Sequence, residues 1–143
     1  MYADISQLRG RLKNSFDGIY DAVVAGSVTT FPDAQADLEA ANGQVDGYLA
    51  GRYLAPVTAD AVLPLLQHYT LTLASELAYM RSAGSEMPKK IADAVKQVRA
   101  DLQAIADGNK RLPGVPETAV GQGGASILSI EKPVFDQKSM EGF

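Results

Sequence analysis

Residues 33–56 carry the pattern that most restricts how this chain can fold, because their apolar side chains recur at steps of three and four. A helix through this run places on one face Leu38, Ala41, Val45, Tyr48, Leu49 and Arg52. The polar residues, Asp37 among them, fall mostly elsewhere. Gly51 can adopt a left-handed C-terminal conformation, and Pro56 cannot continue a helix. The run therefore predicts an amphipathic helix over residues 33–50 with a sharp exit.

A second helix is predicted over residues 64–81, and it is apolar on almost every side, including Met80. A helix of this kind is typical of the buried centre of a bundle. Pro64 is tolerated only within the first turn, so the regular helix should begin there. Asp60 is placed to cap it.

The clearest helical pattern covers residues 88–107, with Pro88 suited to the first turn and Gly108 to the C-terminal cap. A narrow apolar stripe predicts an outer helix with one buried face; its residues are Ile91, Val95, Val98, Leu102 and Ile105.

The N-terminal region predicts a short helix over residues 4–13, where Asp4 and Gln7 have the spacing of a capping box. Arg9, Arg11 and Lys13 at its end are interpreted as a solvated cluster that complements the helix dipole. Residues 14–24 are helix-spaced, with Ser15 as a candidate N-cap. Residues 26–31 predict an extended connector or a short strand.

Residues 108–143 differ in composition, with six glycines and three prolines among them. Residues 112–124 have no helical period and predict a linker. The segment beyond it keeps apolar residues, which favours docking on another surface over disorder. Those residues are Ile127, Leu128, Ile130, Val134, Phe135, Met140 and Phe143. The predicted fold is all-α: a small bundle of four to five helices in residues 1–107, then a linker and long extended C-terminal arm in residues 108–143.

Composition argues against several classes of protein. The net charge is −4, with 13 basic and 17 acidic residues, whereas a nucleic-acid-binding surface normally needs a basic patch. The absence of cysteine excludes disulfides and thiolate chemistry within this sequence. No apolar run approaches the ~20 residues that a membrane span requires, so we expect no membrane association. The N-terminus shows no signal-peptide pattern.

No reactive constellation stands out. His68 is the only histidine, and no second ligand lies at a metal-binding spacing. We therefore expect no catalytic residue, no metal and no cofactor. Tyr48, Arg52 and Tyr53 form the best polar-aromatic cluster. They either close the end of the core, with Arg52 capping helix carbonyls, or contribute to a protein–protein interface.

Four stretches in this order resemble a family of small Mu-like phage proteins long described as a domain of unknown function. They are MYADISQL (residues 1–8), VDGYLAGRYLAP (45–56), LPLL (63–66) and FDQKSMEGF (135–143). Residues 11–16 and 26–32 depart from the turns found in members of this family. The resemblance therefore implies no partner for the loop 14–32.

The resemblance implies a virion structural protein, a head-completion or head-to-tail connector. Such proteins form a ring, commonly of twelve copies, between the portal and the tail or a stopper protein. DNA would pass through the continued channel without specific binding. The implied location is the neck of the virion, with the host cytoplasm as the site of assembly. The family defines no catalytic residues.

Two other functions remain open. The protein could be a tail terminator or another neck or tail protein, or a helical assembly factor absent from the virion. For a connector, we expect the interface to use Tyr48, Arg52 and Tyr53 together with the apolar residues of the C-terminal arm.

Overall fold

The structure is a computed structural model, and it describes residues 1–82 and 86–117 of the chain. In these residues the elements are α1 (Ile5–Leu12), α2 (Asn14–Ile19), β1 (Val23–Ala25), β2 (Val28–Thr30), α3 (Pro32–Leu49), α4 (Leu63–Arg81) and α5 (Lys89–Asp107). The mostly helical class predicted from the sequence is confirmed, and the bounds of the three long helices agree with the prediction to within a residue.

Helix α4 lies at the centre of the bundle and packs against α3, α5, α1 and α2. Its middle is buried on nearly every side, from Leu66 to Ala78. The expected apolar faces of its neighbours complete the core, with Leu38, Val45 and Leu49 from α3 and Val98 from α5. The prediction that Met80 is buried is wrong: this residue is 71% exposed, while Tyr79 and Arg81 on either side of it contact α2 and α3.

Some predicted helix ends are confirmed. Asp4 Oδ1 accepts from the Gln7 N–H while Gln7 Oε1 accepts from the Asp4 N–H, both at 2.9 Å, which forms the expected capping box. Gly108 ends α5 in a left-handed conformation, with φ of 85°. Since a side chain at such a φ is strained, glycine is favoured there.

Three predicted capping residues are wrong, although the bounds of the long helices agree. The C-terminal cap of α3 is Ala50 in a right-handed conformation, and Gly51 is not left-handed. Val62 stands at the N-cap of α4 in place of Asp60, and no side chain makes a capping hydrogen bond there. Lys13 precedes α2 in place of Ser15. A capping preference is worth only about 1 kcal/mol, so the packing of the bundle can override it.

Residues 20–31 leave the helical pattern earlier than predicted. Val23 and Val24 were expected on a helix, yet they form β1, which pairs antiparallel with β2. The turn between them is Gly26-Ser27, and Gly26 has φ of 63°. A two-residue Gly-Ser turn between β-branched residues is a hairpin signal, and it overrides a short helical spacing. The expectation of a short strand in residues 26–31 is confirmed.

The first part of the predicted linker packs on the bundle. Residues 108–117 are irregular, as their composition indicates, but Leu112 is buried and Val115 is half-buried against the core. The predicted arm beyond residue 117 lies outside the described residues.

Candidate functional surface

Tyr53, the third member of the polar-aromatic cluster, is buried and forms a hydrogen bond within the chain. Its side chain is 2% exposed, and its hydroxyl accepts a hydrogen bond from the Leu112 N–H at 3.0 Å. Tyr53 thereby fixes the segment that leaves α5 and presents almost no surface of its own.

Arg52 joins three parts of the chain at one end of the bundle. Its Nε donates to the Ala106 carbonyl oxygen at 3.3 Å, and a guanidinium N–H donates to Glu117 Oε2 at 2.7 Å. The guanidinium also covers Gly108, so a Cβ at that position would collide with it. The capping of helix carbonyls considered from the sequence is therefore present, and Arg52 remains partly exposed at the rim.

Tyr48 remains open to solvent on one side. It is half-buried and lines a shallow depression with Gln44, Gly47, Arg99 and Ala106. Arg99 is held there by Glu76 and by Gln44 Oε1, the latter at 3.2 Å. The structure thus places Tyr48 and Arg52 on an accessible face, where the predicted interface role stays a prediction.

Gly43 and Gly47 form an exposed strip on α3. A Cβ added at either position would meet no atom within 4 Å, so no other part of the described chain packs closely there. Two glycines spaced by four on a helix typically mark close helix packing, against the same chain or against a neighbour, and the described residues of this chain provide no such packing.

The β-hairpin is a surface that the sequence interpretation did not identify. All of its residues from Asp21 to Thr30 are exposed, and the valines are bare: Val23 is 49%, Val24 67% and Val28 58% exposed. Two short strands with unpaired edges and apolar side chains form a surface suited to protein contacts. The Gly26-Ser27 turn was the signal that could have located it.

A buried acid that the sequence placed off the core joins α3 to α4 and to the residue that follows α2. Asp37 is 6% exposed and accepts from the Tyr20 hydroxyl at 2.6 Å. It also accepts two hydrogen bonds from Arg81, at 2.8 and 3.1 Å. Burial, and then the hydrogen bond to Asp37, raise the pKa of Tyr20 well above its ordinary value. The cluster has the geometry of a structural tie.

The described residues also bear on metal binding and on membrane-spanning helices. In residues 1–82 and 86–117, no three histidine or acidic side chains are grouped so that they could hold a metal ion. His68 is exposed at the mouth of a cleft beside Arg11. Among the same residues, no helix is long and apolar enough to cross a membrane.

The fold and surface define a small helical bundle with an exposed apolar hairpin and an open helix face. Residues 2–128, most of the chain, match the profile of the family described as "Bacteriophage Mu, Gp36". The chain belongs to this family of Mu phage proteins. No curated protein matches it. Of the four stretches that carried the resemblance, the one at 135–143 lies beyond the matched residues.

Proposed function

We propose that this protein is a structural component of the virion, a head-to-tail connector that forms a ring between the portal and the tail. The observation that carries the proposal is the family match over residues 2–128. The ring would continue the DNA channel, and twelve copies are expected because the ring would sit beneath the portal. In this proposal the protein is not an enzyme.

The exposed apolar surfaces support an assembling subunit. In a single subunit the hairpin valines are exposed to solvent. Leu54, in the loop after α3, is 79% exposed. Contiguous exposed apolar side chains are a feature of contact surfaces. The hairpin and Leu54 lie near opposite ends of α3, about 27 Å apart along a helix of 18 residues. The hairpin is therefore the candidate contact surface, whereas Leu54 is a single exposed apolar side chain beyond the other end of α3.

The net charge of −4 supports a passive channel. An acidic subunit repels DNA and would let it pass without specific binding. A ring in which Arg9, Arg11, Lys89 and Lys90 lined the lumen would contradict this part of the proposal.

Copy number and position in a particle reconstruction test the proposal. Twelve copies in contact with the portal are expected. Six copies at the tail end would indicate a tail terminator or another tail protein. Absence of the protein from purified particles, measured by mass spectrometry, would indicate an assembly factor.

The C-terminal arm has a separate test. Deletion of residues 125–143 should leave a folded, soluble monomer that fails to assemble, because residues 2–115 already supply a core of buried side chains. Assembly that is unaffected by the deletion would remove the arm from the proposal.

A further inference from the structure

Arg11 lies on α1 and is held by neutral groups. Its guanidinium donates to Thr72 Oγ1 at 3.2 Å and lies 3.4 Å from His68 Nδ1. The Thr72 hydroxyl donates its own hydrogen to the His68 carbonyl oxygen at 2.8 Å, so it can accept from Arg11. Burial, and then the positive charge of Arg11, lower the pKa of His68, so a neutral ring can accept as well. In the described part of the chain, the guanidinium of Arg11 is held by these neutral groups, and the nearby Asp101 carboxylate acts on His68 without pairing with Arg11.

This arrangement sets Arg11 apart from the other arginines. Each of the others forms an ion pair with a carboxylate, and these pairs are Arg9–Asp17, Arg52–Glu117, Arg81–Asp37, Arg99–Glu76 and Arg111–Glu117. Within residues 1–82 and 86–117, Arg11 has no such partner. A guanidinium with fixed geometry and unused N–H donors is suited to receive a carboxylate.

The guanidinium opens into a cleft of about 400 Å³ between α1, α4 and α5. Lys90 contributes a second cation at the rim, and it has no ion pair within the described residues. Pro88, Ile91 and Ala94 form an apolar wall beside these charges. The cleft therefore suits a carboxylate that stands next to apolar side chains.

A DNA phosphate fits this cleft less well than a peptide does. Binding to the DNA backbone uses several cations along one face. Here the adjacent Lys89 is paired with Asp93 at 3.2 Å, and the chain as a whole carries a charge of −4. The side chains of the apolar wall have no hydrogen-bond donor for a phosphate oxygen.

The sequence of this chain contains a segment of matching chemistry. Glu141 stands between Met140 and Phe143 in residues 135–143, whereas the other acid of that segment, Asp136, has Lys138 two positions away. Residues 135–143 lie outside the described residues. The last described residue, Glu117, is fixed by Arg52 at the far end of α5 from the cleft, and α5 spans about 28 Å. The 18 residues from Glu117 to Phe135 can extend about 60 Å, enough to reach past one subunit.

We propose that residues 135–143 of a neighbouring copy bind in this cleft, with the Glu141 carboxylate on Arg11 and Lys90 and the adjacent apolar side chains on the wall of Ile91 and Ala94. This proposal rests on the proposed ring, and it identifies the cleft of one subunit as the binding site for the C-terminal arm of the next.

Site-directed disulfide formation tests the contact, since the natural chain contains no cysteine. The full-length variant with Ala94→Cys in the cleft and Gly142→Cys in the arm keeps Arg11, Lys90 and Glu141. Under mild oxidation it should form linked multimers on a non-reducing gel. The matched control pairs Lys96→Cys, exposed on the same helix outside the cleft, with Gly142→Cys and should give at least fivefold less product.

Charge reversal tests the chemistry. Adding Arg11→Glu to the Ala94→Cys, Gly142→Cys background should remove most of the linked product, and adding Glu141→Arg as well should restore it. Equal linkage at positions 94 and 96, a disulfide within single chains only, or suppression of the linkage by added duplex DNA would each overturn the assignment. The copy number of the particle tests the connector proposal independently, so either can fail without the other.

Discussion

The hydroxyl of Tyr2 donates a hydrogen bond to Asp46 Oδ1 at 2.6 Å and accepts one from the Val57 N–H at 2.9 Å. The backbone N–H of Tyr2 donates to Asn42 Oδ1 at 2.9 Å. The first residues of the chain are thereby fixed against the middle of α3 and the loop that follows it. Two of the stretches that carried the resemblance, residues 1–8 and 45–56, meet at this tyrosine, which gives a physical reason for their occurrence together.

Replacing Tyr2 with phenylalanine should destabilise the protein by about 1–3 kcal/mol, because the buried Val57 N–H loses its acceptor. Urea denaturation followed by circular dichroism measures the change. Tyr79→Phe is the control, since the Tyr79 hydroxyl lies 3.3 Å from Ser15 Oγ in a half-buried position, and it should cost under about 1 kcal/mol. Equal losses for the two variants would contradict the role assigned to Tyr2.

Asp37→Asn should cost about 2–3 kcal/mol, because it breaks a bidentate ion pair whose acid is buried, while the Arg81 side chain is 38% exposed and partly screened. Asp33→Asn provides a control on the same helix and for the same arginine. Its carboxylate is 58% exposed at 3.6 Å from Arg81, so its loss should cost less than about 1 kcal/mol. The denaturant midpoints of the two variants, measured at equal pH, test this difference, and equal midpoints would contradict the role assigned to Asp37.

Alanine at Gly43 or Gly47 should stabilise the isolated subunit by up to about 1 kcal/mol each, because the helix gains propensity and the new methyl group meets nothing. Alanine at Gly108 should do the opposite, since φ is positive there and Arg52 occupies the space. Thermal unfolding of the three variants gives the sign. A neighbour packed on the α3 strip would show itself as a stable variant that assembles poorly.

Threonine at Val24 and Val28 should leave the stability of the subunit within about 0.5 kcal/mol of the natural chain, because both side chains are exposed and threonine also suits a strand. If the hairpin contacts another subunit or a partner, the double variant should enter particles less efficiently. Incorporation can be measured by complementing a phage that lacks the protein. Normal incorporation would leave the hairpin without a contact role.

Stability should fall above pH 10. Burial and hydrogen bonds to Asp46 and Asp37 raise the pKa of Tyr2 and Tyr20 above the ordinary value of 10.0. The folded state therefore holds these protons more tightly, so the stabilisation is complete below the pKa of the unfolded chain and is lost as the pH rises through the folded one. Unfolding free energies between pH 8 and pH 11 measure the decline, which should be smaller in the Tyr2→Phe, Tyr20→Phe variant.

The helices were predictable because their signal is local. The 3–4 spacing of α5, its Gly108 cap and the Asp4–Gln7 capping box depend only on residues a few positions apart. Asp37 was misassigned because its partners, Tyr20 and Arg81, lie 17 and 44 positions away. Asp37 can be buried because it accepts hydrogen bonds from these two remote residues, and a helical spacing gives no information about them. Tyr53 was ambiguous for the same reason, since its partner Leu112 is 59 positions away.

The sequence by itself determined the class of fold, the three long helices and the family, because apolar periodicity and short motifs are written in consecutive residues. The tertiary structure alone decided which polar groups are used inside and which remain available. It placed Tyr53 and Asp37 in the interior and left the hairpin valines exposed. It also brought Arg11 of α1 against His68 and Thr72 of α4, where no described carboxylate pairs with it. These outcomes depend on distances between residues remote in sequence, which only packing of the helices sets.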